Sequence, residues 1–564
     1  MSGSRNRFAF GHHGLSLLLL VSLLVSCAKP EFTNRVAVLR FENLAQDPSE
    51  DWIGRAVSEE IAGQLEGTRH HAVISFETLR RMVDSSGSRP LVTPGVSAER
   101  DAAISAGADR LVEGYYSMRE GRLRLTALEE NLSTGRLGAP MIVEGPVDDL
   151  LHLTDQIAKT IDIEARPAIT NSARALRSYA IALESPPEQA RALFEESARL
   201  DPEFGSPWVA LAHQSLAKDD KEAFAKIHET VRNRGSIRAL DRAILNLDDA
   251  RLKQAPGPLI DALYAIVRIT PADPFRLQEL ARTELENGRF AEAVDHYRKL
   301  IQLLPSSSDV SNEFGYALMY IGDSAAAEHA LENYRQARPD EANPLDSIGD
   351  CHFFFGRFDQ AERAYLEAYQ KDASFLNGGD LLKAAWSRLM RSDRAGALDL
   401  VRRYRSERSS FNDSLNDSLA DYRAAQILHL AGQTAVAEQL VSAYTESQDD
   451  QLRTSARNQL AWWLFFDGRG PAPEATSKLD RALLLLGRKE FEAAYPLWRE
   501  LAEQASPTDW WIRTVYARVL LETGQLMESE RYRRFNPIPE PDRAITHDQL
   551  WYPWLLEIRA TRTK

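Results

Sequence analysis

Residues 281–305 read ARTELENGRFAEAVDHYRKLIQLLP, and their small and punctuating residues recur downstream at a constant interval. Ala281, Gly288, Phe290, Ala293, Tyr297 and Pro305 mark one unit. Thirty-four residues on stand Gly315, Gly322, Ala327, Leu331 and Pro339. A second step of 34 reaches Gly349, Gly356, Phe358, Ala361 and Tyr365, with Ala368 three later. A fixed period of this length signals a supersecondary unit that buries its apolar face only against copies of itself. The roles of the recurring residues follow from sterics. An early small residue lets the first helix of a pair approach its partner, and the glycine permits the turn between them. The alanine sits where the two helices cross, and the proline stops the second helix.

These residues resemble the tetratricopeptide repeat (TPR), a helix–turn–helix unit. Weaker units flank the three regular ones. Ala190, Phe194 and Pro202 close one second helix; Trp208, Leu211 and Ala212 open the next first helix; Leu259–Pro271 ends another. Downstream the register drifts. Ser392–Ala397 is offset by two, Gly432–Ala437 recurs later, Phe491–Ala494 with Trp498 reads as a second helix, and Ala517–Gly524 ends the series. Eight or nine hairpins are expected over 172–564, with Ser406–Ser418 as a loop or interruption and Trp551, Tyr552 and Trp554 in a capping helix, either packed inward or forming an extra contact site.

The resemblance implies a superhelix whose concave face is lined by the first helix of each pair. On this register the groove positions include Gln278, Arg282 and Glu286, then Asn312, Tyr316 and Tyr320, then Asp346, Asp350 and Phe354. Amides, aromatics and both charge signs suit an extended peptide or a partner helix. The family's clamp for a C-terminal carboxylate pairs asparagine with lysine. Asn312 is present and the matching lysine is not.

The region before the repeats has a different rhythm. Arg35–Phe41 is a strand and Ala72–Phe76 another, with Ile53, Ala56, Val57, Ile61 and Leu65 at helical spacing between them. Helices are expected at Thr78–Val83, Ala98–Ala106 and Asp148–Ile163, and strands at Arg110–Met118, Leu123–Glu129 and Pro140–Val143, the first two of these strands joined by a Glu120-Gly121 hairpin. The order βαβα(α)βββα makes an α+β domain over 35–168, a mixed sheet with helices, before the all-α solenoid. Val36–Leu44 resembles the opening of the TolB amino-terminal-like domain, related to the FlgO and CsgG lipoproteins. Gly107-Ala108, Leu111–Gly114, Gly121, Leu123–Leu125 and Thr134-Gly135 fall at that family's spacing. Arg40 replaces the usual proline, and an aromatic expected after the Thr-Gly turn is missing. The resemblance implies a binding or assembly module without catalytic residues.

Residues 15–27, LSLLLLVSLLVSC, address the chain. Arg5 and Arg7 precede an apolar run of 11 residues, too short for a hydrocarbon core that needs about 20. Leu24-Val25-Ser26-Cys27 resembles the bacterial lipobox, which implies an acylated Cys27, a discarded segment 1–26 and a lipidated tether over 27–34. The residues 28–34 span at most about 25 Å, so the first domain would sit near the leaflet. Ala28, rather than aspartate, follows the cysteine, which by the lipoprotein sorting rule implies the outer membrane, facing the periplasm, in a Gram-negative cell.

Loss of Arg5 and Arg7 with the signal takes the formal charge from −14 to −16. An acidic body argues against nucleic acid and against general adhesion to anionic lipid. With Cys27 acylated, Cys351 has no disulfide partner and reads as a buried thiol. No phosphate loop, zinc spacing or nucleophile elbow appears. Ser215-Leu-Ala-Lys218 has an acyl-enzyme form without companion motifs, His70-His71 lacks a ligand cluster, and Asp413, Asp417 and Asp421 lack a calcium-loop glycine. No cofactor, metal or catalytic residue is expected. The expected function is a membrane-anchored periplasmic scaffold that takes a protein or peptide ligand in its groove. The alternative is an oligomeric envelope or secretion component built on the first domain.

Overall fold

The computed structural model describes residues 34–44, 47–85, 96–271, 273–304, 307–408, 414–505 and 510–534. The expected signal, Cys27, the tether up to Thr33 and the Trp551–Trp554 segment lie outside the described residues. The division of the chain into two compact units falls inside the helix Pro274–Glu286: the first unit runs to Leu277 and the second starts at Gln278.

The first unit holds a seven-stranded mixed sheet. Its strands are β1 (Asn34–Val38), β2 (Glu42–Asn43), β3 (His71–Val73), β4 (Arg110–Arg119), β5 (Arg122–Asn131), β6 (Arg136–Leu137) and β7 (Met141–Pro146). The order β3-β1-β4-β5-β6 has β1 parallel to β3 and β4, whereas β4–β5 and β5–β7 are antiparallel. Glu120 and Gly121, with φ of 49° and 73°, form the expected hairpin, because a two-residue turn that matches strand twist needs positive φ at both positions. Its helices are α1 (Trp52–Leu65), α2 (Phe76–Ser85), α3 (Val96–Ser105) and α4 (Leu150–Ile161). Successive side chains of β1 point to opposite faces. Val36 and Val38 pack with α1 and α4, and Ala37 and Leu39 with α2 and α3, so the sheet is covered on both sides. The short pairs β2 and β6 are additions to the expected order.

The core under α1 does not stop at the end of the sheet region. It continues through Ile169, Ala175, Leu176, Tyr179, Phe194, Phe204 and Leu211 on and beside the first repeat helices. Arg40, the departure from the TolB-like pattern, reinforces this junction. Its Nε donates to Glu184 Oε1 at 2.8 Å, and Arg55 Nε donates to the same oxygen at 3.2 Å. Arg55 also pairs with Glu99, whose other oxygen accepts from Arg40 N at 3.0 Å.

Between Ala173 and Arg534 the elements among the described residues are all helices, and they form ten helical hairpins rather than eight or nine. The turn is closed by a left-handed residue at Asp219, Gln254, Gly288, Gly322, Gly356, Ser392, Gly432, Lys489 and Gly524, with φ between 49° and 90°. The helix Asp450–Phe466 stands between hairpins. Of the expected loop at Ser406–Ser418, the described residues are helical, within Arg394–Arg408 and Ser414–Leu430, and residues 409–413 lie outside the described residues. Serine and asparagine are tolerated in helices when tertiary packing outweighs their weak propensity.

Candidate helix-lined site

The first helices of three successive pairs, Pro274–Glu286, Ser308–Tyr320 and Asn343–Phe354, carry the expected groove residues. Two glycines set their closeness to the second helices. A Cβ on Gly315 would come within 2.6 Å of Leu331, and one on Gly349 would enter the Tyr365 ring. This is the role expected of the small residue of each unit.

Among the groove residues, the structure brings together three groups. Gln278 Nε2 donates to Glu313 Oε2 at 3.0 Å, and Arg282 Nε donates to Glu313 Oε1 at 3.1 Å. Arg282 and Glu286 are exposed. The Oδ1 of Asn312 is buried and has no hydrogen-bond partner among the described residues. Next comes an aromatic ridge, in which Tyr320 lies 5.0 Å from Phe290, 6.3 Å from Tyr316 and 5.8 Å from Phe354 between ring centroids. Offset and tilted pairs of this kind add to the apolar burial.

The third group corrects an expectation. Asp346 and Asp350, which the repeat pattern makes groove-lining acids open to a ligand, are only 5% and 4% exposed. Lys383 Nζ donates to Asp346 Oδ1 at 2.6 Å and to Asp350 Oδ1 at 3.1 Å. Tyr316 donates to Asp350 Oδ2 at 2.9 Å and Tyr365 to Asp350 Oδ1 at 2.8 Å. Burial, with the adjacent Asp350 and Asp346 charges, pushes the Tyr316 hydroxyl well above its ordinary range, so it stays a donor. The cluster ties successive first helices together. It is a fastener, and the accessible polar positions are those around Arg282, Glu286 and Glu313.

Sequence reasoning missed Lys383 and Glu313. Glu313 follows Asn312 on the same helix, one position off the family's groove pattern. Lys383 lies beyond Gly356, where the interval to the next left-handed turn at Ser392 is 36 rather than 34. Two of the remaining polar motifs have structural roles, and Asp413 lies outside the described residues. Ser215 is buried and donates to Leu211 O at 2.9 Å, and His71 Nδ1 lies 3.0 Å from Asp162 Oδ2. Cys351 is fully buried, and burial pushes its thiol up to about 12. Among the described residues no group of His, Cys, Asp and Glu could hold a metal ion, and no helix is long and apolar enough to cross a membrane.

A mixed-sheet region followed by a long all-helical repeat region is the class of protein these elements define. Residues 312–375 match the family model described as tetratricopeptide repeat, the stretch that contains the aromatic ridge from Tyr316 to Phe354 and both aspartates. Among solved structures the chain is similar to a MamA protein, at 18% identity over 30% of this chain and 94% of that one, with a TM-score of 0.27. It is also similar to MamA 41-end from Desulfovibrio magneticus RS-1, at 18% identity over 31% and 100%, with a TM-score of 0.27. An O-GlcNAc transferase mutant of Thermobaculum terrenum aligns at 15% identity over 24% and 26%, with a TM-score of 0.21. No curated protein matches the chain.

Proposed function

We propose that this chain is a lipid-anchored adaptor of the bacterial envelope, which holds protein partners on the first-helix face of its repeats. The observation that carries the reading is the tetratricopeptide match over 312–375, preceded on the neighbouring first helix by the exposed charges Arg282 and Glu286. Peptide segments and partner helices dock on such faces through aromatic anchors and polar rims. The lipobox-like Leu24–Cys27 supports anchoring through Cys27, and Ala28 supports the periplasmic face of the outer membrane. The TolB-like opening at Val36–Leu44 supports a non-catalytic first domain. Anchoring concentrates partners at the leaflet and so raises their effective affinity.

The test is a crosslinking pull-down from intact cells with the lipidated chain. Arg282→Glu with Glu286→Lys alters exposed charges and costs no more than about 1 kcal/mol of stability. The double variant is expected to lose the partners while keeping the wild-type melting curve. An unchanged partner set with that variant overturns the groove reading. Cys27→Ala is expected to move the chain from the membrane to the soluble fraction and to abolish palmitate labelling; a variant that stays on the membrane overturns the anchor.

A further inference from the structure

The first unit contains a cavity of about 240 Å³ that the adaptor reading does not use. Elements far apart in sequence wall it: α1 and the start of α2 on one side, and the repeat helices Ala173–Leu183, Gly205–Ala217 and Ala239–Leu252 on the other. Its polar lining is acidic. Glu59, Glu66, Glu77 and Asp241 share the lining with Arg80, Arg238 and His213. The two arginines do not balance the acids. Arg238 is committed to Glu66, with which it forms an ion pair, and Arg80 is exposed.

Two of the carboxylates form no ion pair among the described residues, although Arg238 and Ser206 act on Asp241 and Arg55 acts on Glu59. Asp241 is 6% exposed, and its Oδ2 has no hydrogen-bond partner among the described residues. Glu59 makes no hydrogen bond or ion pair among the described residues, and burial pushes its carboxyl up to about 7. Tyr179, also at the cavity wall, has its hydroxyl pushed up by burial and then by the charges of Glu59, Asp241 and Glu77, against a hydrogen bond with Ser206. The wall also carries Ser75, Ser206 and His213, and its apolar part includes Val73, Ile169 and Leu240. Burying a carboxylate without a partner is costly, so a site that keeps such groups around an open volume is built for a cation that completes them.

We propose that this cavity binds a primary ammonium group on a short apolar chain, as presented by a free alkylamine or by a lysine side chain. An ammonium has three donors for Glu59, Asp241 and Glu77, and a stem of a few methylenes fits the apolar wall. The volume lies below the ~300–1,000 Å³ of pockets for drug-sized ligands, which suits a guest of this size. The inference rests on the first unit alone and is independent of the adaptor reading.

Titration calorimetry of the full chain tests it with three probes: n-butylamine, N-acetyl-lysine methylamide and n-butanol. At least one amine is expected to bind saturably, and butanol, which lacks the charge, at least about tenfold more weakly. Glu59→Gln and Asp241→Asn should each weaken the amine about tenfold or more. Both are isosteric and remove a buried charge, so a retained melting temperature separates lost binding from lost folding. A tighter fit for the lysine derivative assigns the site to a peptide, and a tighter fit for butylamine assigns it to a free amine; either outcome upholds ammonium recognition. Absence of saturable binding by both amines, equal binding of butanol, or amine affinity unchanged in both variants overturns it.

Discussion

At the scale of single residues, Lys383 shows how a side chain with the chemistry of a ligand site serves packing. It is 1% exposed and meets two aspartates that are nearly as buried. Assembling such a cluster gains little over an apolar core, but removing one member leaves the others charged and dry. Lys383→Met is therefore expected to destabilise the chain by about 3–5 kcal/mol, read as a lower urea midpoint with the slope unchanged. Adding Asp346→Asn to that variant removes one of the stranded charges and should recover part of the loss. A double variant no more stable than Lys383→Met would mean that the lysine acts through its methylenes and not through its charge. The same burial explains why charge reversal at Asp346 or Asp350 cannot report on partner binding: it would break the fold first.

At the scale of elements, α1 combines an apolar stripe with buried polar groups. Glu60 is 0% exposed; its Oε1 accepts from Gln64 Nε2 at 2.8 Å and from Ile169 N at 2.9 Å, and Oε2 has no partner among the described residues. Burial raises its carboxyl to about 7, against about 4.3 in an unfolded chain. Between these values the folded state holds a proton that the unfolded state releases. This group's contribution is thus fully present below the unfolded value and is lost as pH rises through about 7. Glu60→Gln should make the fall in stability from acid to neutral pH shallower, measured as melting temperature against pH; an unchanged profile would place the proton elsewhere. The elements differ in how far they can be read in advance. β1, α1, the β4–β5 hairpin and the three regular repeats follow from alternation, helical spacing and glycine turns. The flanking repeats follow less sharply, because Asp219, Gln254, Ser392 and Lys489 occupy left-handed turns that glycine usually marks. The cavity is equally hidden. Glu59 and Glu66 lie on the polar side of α1, which reads as a solvated face until the repeat helices cover it.

At the scale of the whole molecule, the sheet region passes into the repeat helices without a break in the core. The sheet ends at Pro146, α4 at Ile161, and the first repeat helix begins at Ala173. Yet the core on the α1 side continues through Tyr179, Phe194 and Phe204, and Glu184 accepts from both Arg40 and Arg55. Cutting after residue 168 would expose that apolar surface and take Glu184 away from Arg40 and the buried Arg55, leaving Arg55 its pair with Glu99. Each large side chain uncovered forfeits about 1.5–3 kcal/mol, against a total stability of about 5–15 kcal/mol for a typical protein. A fragment of residues 34–168 is therefore expected to lack a cooperative melting transition, whereas one that extends through the repeat helices to residue 304 should retain it. The contrast is read by near-ultraviolet dichroism on heating, which follows fixed packing around Trp52 and the tyrosines rather than secondary structure alone. A short fragment that melts as sharply as the long one, and at the same temperature, would make the sheet region an independent domain and reduce the Arg40–Glu184 contact to a surface pair worth about 0–1 kcal/mol.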